Sequence, residues 1–276
     1  MMIQTHLPAQ HLSKSVYFLP AEGGNVTVCA GKDGAMIVDI PQVSEVARVQ
    51  AALDQLKPGQ FNFMVNTHAH GDHTAGNTLL GEQMPIIAHS NVRKRLQEEY
   101  HINVGIQASF PAQPASALPR LVFEDQLTLY LNNEEIRLIH FPAGHSDSDI
   151  IIWFTHANVA HLGDMFWPEM FPFVDVANGG SIEGLIQNVQ QLLKLLPADI
   201  QIVPGHGPLS DISGLQTFLH MIQETTKTIR AQHKAGKNQL DITAAISANW
   251  QTLGTAFISA SAWVEIVLFN ASENNF

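Results

Sequence analysis

The segment Thr67-His68-Ala69-His70-Gly71-Asp72-His73 sets three histidines and an aspartate within six positions, directly after the apolar run Phe61 to Val65. With 14 histidines among 276 residues, chance supplies such a string about 0.002 times. A lone histidine is ordinarily a hydrogen-bonded surface or core residue. Three of them so close to a carboxylate read instead as a metal site, because neutral imidazoles suit a divalent transition ion and Asp72 adds stabilising negative charge.

The same design recurs downstream. Ile136 to Phe141 runs into Pro142-Ala143-Gly144-His145, Val159 to Leu162 into Gly163-Asp164, and Ile200 to Val203 into Pro204-Gly205-His206-Gly207. Each apolar run ends at a glycine beside a ligand-type residue. Functional groups of α/β sheets gather beyond the carboxyl ends of strands, so four such junctions can surround one centre. Taken singly, His145, Asp164 and His206 read as turn residues or helix caps. Taken with the first motif, they are candidate ligands, and the glycines allow the close backbone approach that a crowded site needs.

The elements that must carry these junctions follow from hydrophobic period and turn residues. Strands are expected at Ser15 to Leu19, Asn25 to Ala30 and Ala35 to Ile40, separated by Gly23-Gly24 and Lys32-Asp33-Gly34 turns, as a meander. Val46, Val49, Leu53 and Leu56 mark a helix over Ser44 to Leu56, stopped before Pro58-Gly59. After the Phe61 to Val65 strand come strands at Ile86 to Ala88, Arg120 to Phe123, Leu127 to Leu131 and Ile150 to Phe154. The downstream junction runs supply three more. Helices are expected at Val92 to Tyr100, Ile182 to Leu196 and Leu215 to His233, with two more in Leu240 to Phe269. Ile102 to Pro119, with Pro111, Pro114 and Pro119, reads as a long loop, either a binding loop or a spacer.

The ordered set T-H-A-H-G-D-H, A-G-H-S, L-G-D and P-G-H-G resembles the metallo-β-lactamase superfamily over about Val16 to Pro208. The resemblance implies an α/β fold, a four-layer αββα sandwich with its metal site along one edge of two packed sheets. It also implies that His68, His70 and His145 hold one ion, that Asp72, His73 and His206 hold another, and that Asp164 bridges them. Zinc is the expected metal, with iron or manganese as alternatives. Zinc β-lactamases typically lack a carboxylate at the Asp164 position, whereas glyoxalase II and metal-dependent lactonases carry one. The implied activity is hydrolysis of an ester, thioester, lactone or amide carbonyl by a hydroxide shared between two metals, which lower the pKa of bound water toward about 7. Asp72 is both a ligand and the candidate residue for proton transfer. The alternatives are an iron-dependent oxidation of a persulfide-like substrate and a metal-binding protein without turnover.

Met165 to Phe173 follows Asp164 with unusual aromatic density, and Phe166, Trp167 and Phe171 are expected to wall a substrate pocket. Trp250, Phe257, Trp263 and Phe269 are expected to pack on the core or on another subunit. His140 and His161, inside strand runs, are expected to be hydrogen-bonded, and Asp147 and Asp149 to organise a turn.

Composition bounds the rest. The chain has 45 % hydrophobic residues, no linker-like or charge-block segment and one cysteine, Cys29, so it reads as a single domain over 1–276 with C-terminal helices from about 211. One cysteine excludes an internal disulfide and a thiolate metal cage. Fourteen Lys and Arg against 25 Asp and Glu give a net charge of -11, which disfavours nucleic acid as a partner. No stretch approaches a membrane span, and Met1 to Pro20 has no signal-peptide pattern. A small-molecule substrate and a cytoplasmic location are expected, or a periplasmic one where a leader precedes the chain.

Overall fold

The computed structural model describes residues 9–56, 58–59, 61–253 and 257–273. A seven-stranded sheet forms first, from β1 (Gln10–Ser13), β2 (Val16–Ala21), β3 (Gly24–Gly31), β4 (Gly34–Val38), β5 (Phe61–Val65), β6 (Ile86–His89) and later β9 (Leu121–Phe123), in that order. The first four strands are the expected antiparallel meander plus one edge strand, β1; β4, β5, β6 and β9 then run parallel. Helix α1 (Val43–Leu56) makes the crossover between β4 and β5, which parallel neighbours require. The short helices α2 (Gly71–Thr74) and α3 (Asn77–Leu80) lead into β6, and α4 (Ser90–Leu96) follows it.

The expected helix to Tyr100 ends early, at Leu96, and the expected loop from Ile102 contains a hairpin. Strands β7 (Tyr100–Ile102) and β8 (Ala108–Phe110) pair antiparallel, with Tyr100 opposite Phe110. Those two rings stack at 4.7 Å, a cross-strand pair too distant in sequence for local pattern to reveal.

A second sheet takes the order β10 (Gln126–Leu131), β11 (Glu134–His140), β12 (Ile150–Phe154), β13 (Val159–Gly163) and β14 (Gln201–Pro204). Its first four strands are antiparallel, and β14 joins β13 in parallel after helix α5 (Ile182–Leu195). Helices α6 (Ile212–Lys234), α7 (Gln239–Asn249) and α8 (Ala260–Glu273) close the described chain.

The two-residue period of the strands sorts most of their side chains into three large cores. Ile150, Ile152 and Phe154 meet Val16, Met36 and Val65 between the sheets. Val26, Val28 and Ile37 face α1 through Val46, Val49 and Leu53. Ile151, Ala160 and Ile202 face the helical layer, where Leu185, Phe218 and Trp263 belong to the same cluster. The molecule is therefore a four-layer αββα sandwich, and α6 and α8 share the core of the second sheet. Strands β4 and β5 are parallel, as are β11, β13 and β14, so their carboxyl ends deliver the following loops to common edges. No helix among the described residues is long and apolar enough to cross a membrane.

Candidate metal centre

The segments after β5, β11, β13 and β14, the first of which includes helix α2, bring all seven candidate ligands together in two groups, His68, His70, His145 and Asp164 in one and Asp72, His73 and His206 in the other. Ligand-type atoms within each group lie within 4.8 Å of one another. In the first, His70 Nδ1 is 3.1 Å from His68 Nε2 and 2.9 Å from His145 Nε2. In the second, His206 Nε2 is 3.3 Å from both His73 Nε2 and Asp72 Oδ2. Asp164 lies between them. Its Oδ2 is 3.6 Å from His145 Nε2 and 3.3 Å from His206 Nε2, while Oδ1 is 3.2 Å from His73 Nε2.

The outward nitrogen of each buried histidine is committed to the protein. His70 Nε2 donates to Asp175 Oδ2 at 3.1 Å, His73 Nδ1 to Asp39 Oδ2 at 2.8 Å, and His145 Nδ1 to the Phe173 carbonyl at 2.8 Å. His68 Nδ1 lies 3.0 Å from Thr67 Oγ1, whose hydroxyl itself donates to Asp39, so the imidazole is the donor there. With hydrogens outside, His68, His70 and His145 turn lone pairs toward one another at about 3 Å. Such a cluster suits a cation at its centre, and this orientation by outer partners is what metal-ligating histidines show. Asp164 Oδ1 agrees, being buried without a hydrogen-bond partner.

The electrostatics point the same way. Burial, reinforced by neighbouring histidines, keeps His68 well below the usual range, and burial takes His145 down to about 4, so both are neutral and ready to donate a lone pair. Burial pushes Asp164 up, yet His206, His73 and His145 more than offset this and hold it well below an ordinary carboxyl. Burial likewise opposes charge on His206, but Asp164 and Asp72 raise it to about 9. These carboxylates demand positive charge where the second group converges.

Local sequence explains the tight approach at Gly205. A Cβ there would fall 1.9 Å from Asp164 Oδ1 and 2.9 Å from the Gly163 backbone. Asn25 holds the same turn from the other sheet, its Nδ2 donating to the carbonyls of Pro204 and Gly207, each at 2.9 Å. Asn25, Asp39 and Asp175 lie outside the sequence motifs. Asp39 could have been found as a carboxylate ending the apolar run Ala35 to Val38, the same junction pattern without its glycine. Asp175 and Asn25 carry no such signal. His161 and His140 are hydrogen-bonded as expected, to Thr27 Oγ1 and to the Asp149 carbonyl, and Asp149 accepts from Ser146 within the turn.

A cleft of about 450 Å³ opens onto His70, Asp72, Asp164 and His206, and Trp167 and Phe173 line it. Trp167 stacks on His206 at 4.6 Å and its indole N–H donates to the Asp164 carbonyl at 2.7 Å. Phe166 and Phe171 do not reach the cleft. Phe166 meets Phe218 of α6 and Phe171 stacks on Trp263 of α8, because the C-terminal helices cover that side of the segment. Conversely Phe257, expected to pack on the core or on another subunit, is 60 % exposed and lines the cleft.

The metallo-beta-lactamase superfamily model matches residues 19–206, and the chain belongs to that superfamily. It is a metal-dependent hydrolase of that family. Among curated proteins it is similar to the probable metallo-hydrolase YqgX of Bacillus subtilis, 25 % identical over 150 residues that cover 53 % of this chain and 68 % of that one. Among solved structures it is similar to the metallo-beta-lactamase from Pontibacter korlensis, at TM-score 0.62 and 17 % identity, over 79 % of this chain and 99 % of that one. It is also similar in fold to the stereoselective inverting sec-alkylsulfatase Pisa1 from Pseudomonas sp., at TM-score 0.68 and 12 % identity, covering 98 % of this chain and 51 % of that one.

Proposed function

We propose that the chain is a two-metal hydrolase of small carbonyl substrates, esters, thioesters, lactones or amides, with zinc as the working metal. The observation that carries this reading is Asp164, which reaches both ligand groups: its oxygens lie 3.2 Å from His73 Nε2 and 3.3 Å from His206 Nε2 in one, and 3.6 Å from His145 Nε2 in the other. His68, His70 and His145 would hold one ion, Asp72, His73 and His206 the other, and Asp164 both. Divalent ions held by these residues would supply the Lewis acidity that lowers the pKa of a bound water and polarises a substrate carbonyl.

The chain's own groups supply the rest. Asp39, Asp175 and the Phe173 carbonyl fix the imidazole orientations, so little reorganisation is needed when charge develops. Asp72 is the carboxylate of the set most open to the cleft, with its side chain 35 % exposed. Its Oδ2 can orient an attacking water and carry a proton to the leaving group. Trp167 and Phe173 exclude water beside the reacting carbonyl and favour substrates with an apolar part.

Metal analysis of the purified chain, combined with a panel of ester, thioester, lactone, amide and phosphodiester substrates, tests this. The expected result is close to two ions per chain, carbonyl hydrolysis, and loss of the second ion and most turnover in Asp164→Ala. A single iron with oxygen consumption, or a phosphodiester as best substrate, would overturn the reading.

A further inference from the structure

Two separate parts of the chain build opposing apolar walls beside the candidate ligands. One is the β7–β8 hairpin, which presents Ile102, Ile106, Ala108 and Phe110 to the cleft. The other is Phe257, from the connection before α8. Its ring lies parallel to His206 (6.1 Å, 6°) and nearly parallel to Trp167 (6.1 Å, 18°). A phenyl ring left 60 % exposed is unfavourable unless something apolar covers it.

Both walls are anchored, and α8 supports both. Ile258, next to Phe257, is fully buried, and Trp263 Nε1 donates to Thr225 Oγ1 of α6 at 3.0 Å. The hairpin tip turns at Gly105 (φ +77°), where a Cβ would stand 2.6 Å from the Ile266 side chain of α8. At its base the Tyr100 hydroxyl donates to the Ala69 carbonyl, inside the ligand motif, at 3.2 Å. The walls therefore keep a set distance from the ligand residues, and their spacing selects what enters.

We propose that this cleft is a subsite for an uncharged hydrocarbon acyl group of several carbons, with Phe257 and the hairpin as its specificity-determining walls. The proposal rests on the hydrolase reading above. Among the described lining residues there is no lysine or arginine; the titratable ones are the candidate ligands, and the remaining polar side chains are the neutral amides of Gln42 and Gln107. An ionised group at the far end of the acyl chain would be desolvated without a partner, which is costly. Each buried methylene, by contrast, can strengthen binding by up to about fourfold.

Calorimetric titration of the zinc-loaded full chain with straight-chain hydroxamates, from acetohydroxamate to octanohydroxamate, and with suberic monohydroxamate tests this. Affinity is expected to rise at least about tenfold along the series, and the carboxylate-ended suberic probe to bind at least about tenfold more weakly than octanohydroxamate. Phe257→Ala should cut the octano-to-aceto affinity ratio at least about fivefold while Phe257→Leu largely restores it, with thermal unfolding and metal content verifying both variants. An affinity independent of chain length, an equal or tighter suberic probe, or an unchanged ratio in Phe257→Ala would overturn the proposal. If the chain-length series behaves as expected but no carbonyl compound is hydrolysed, the subsite stands and the hydrolase reading falls. Ester hydrolysis indifferent to chain length gives the converse.

Discussion

Asp39 and His73 form a buried contact of 2.8 Å between Oδ2 and Nδ1, and the same carboxylate takes the backbone N–H and the hydroxyl of Thr67 at 2.8 and 2.7 Å. Asp39 thus ties the end of β4 to both ends of the first ligand motif. It does so in a left-handed backbone conformation (φ +58°) that aspartate tolerates better than most residues. Asp39→Asn would keep the shape but remove the charge that fixes the His73 tautomer. Metal affinity, measured by competition with a chromophoric chelator, is expected to fall about 10- to 100-fold. Unchanged affinity would reduce Asp39 to a structural role.

Gly205→Ala is expected to remove metal without unfolding the chain. The added methyl would meet the Asp164 carboxylate at 1.9 Å, and the backbone at 2.9 and 3.1 Å blocks any easy retreat. Overpacking of this kind costs about 1–3 kcal/mol, and displacement of Asp164 should lower occupancy of both ion positions. Elemental analysis together with a thermal melt reads the two effects separately. Full occupancy would mean that the turn relaxes more readily than its neighbours suggest.

Phe171→Ala should act on stability rather than on substrate binding. The ring is fully buried and stacks on Trp263, so its loss is expected to cost about 3–5 kcal/mol. Urea titration should show the midpoint falling, with KM of the folded fraction close to the parent value. A large rise in KM at unchanged stability would return Phe171 to the substrate wall.

Acid should loosen the packing of the helical layer through Glu183. Its carboxylate meets Arg230 of α6 at 2.5 Å and accepts from Asn270 of α8 at 2.7 Å. Burial raises its pKa, but these two partners prevail and hold it below its ordinary value of 4.5. A depressed carboxyl stabilises the folded state above about pH 4.5, and that contribution disappears as pH falls through the lower folded value. Because the side chain is 41 % exposed, solvent screening limits the pair to about 0.5–1 kcal/mol. Glu183→Gln should lower the neutral-pH melting temperature slightly and flatten its dependence on pH in that window. A parallel acid profile in the two proteins would remove Glu183 from the transition.

The ligand candidates were legible in the sequence because metal chemistry restricts residue type and strand ends restrict spacing. His68, His70, Asp72 and His73 occupy one short string, and His145, Asp164 and His206 each follow an apolar run and a glycine. The layers were legible for a related reason: the alternation in Ile150 to Phe154 and the helical spacing of Val46, Val49 and Leu53 record which neighbour each face meets. Long-range contacts left no such local record. Asp175 reaches His70 across 105 residues and Asn25 reaches Gly207 across 182, so tertiary structure alone revealed what holds the ligands in place. The aromatic residues show the same limit. Apolar character says that a ring seeks cover but not which cover it finds. Only the folded chain decided that α6 and α8 would bury Phe166 and Phe171 and that Phe257 would stand beside His206.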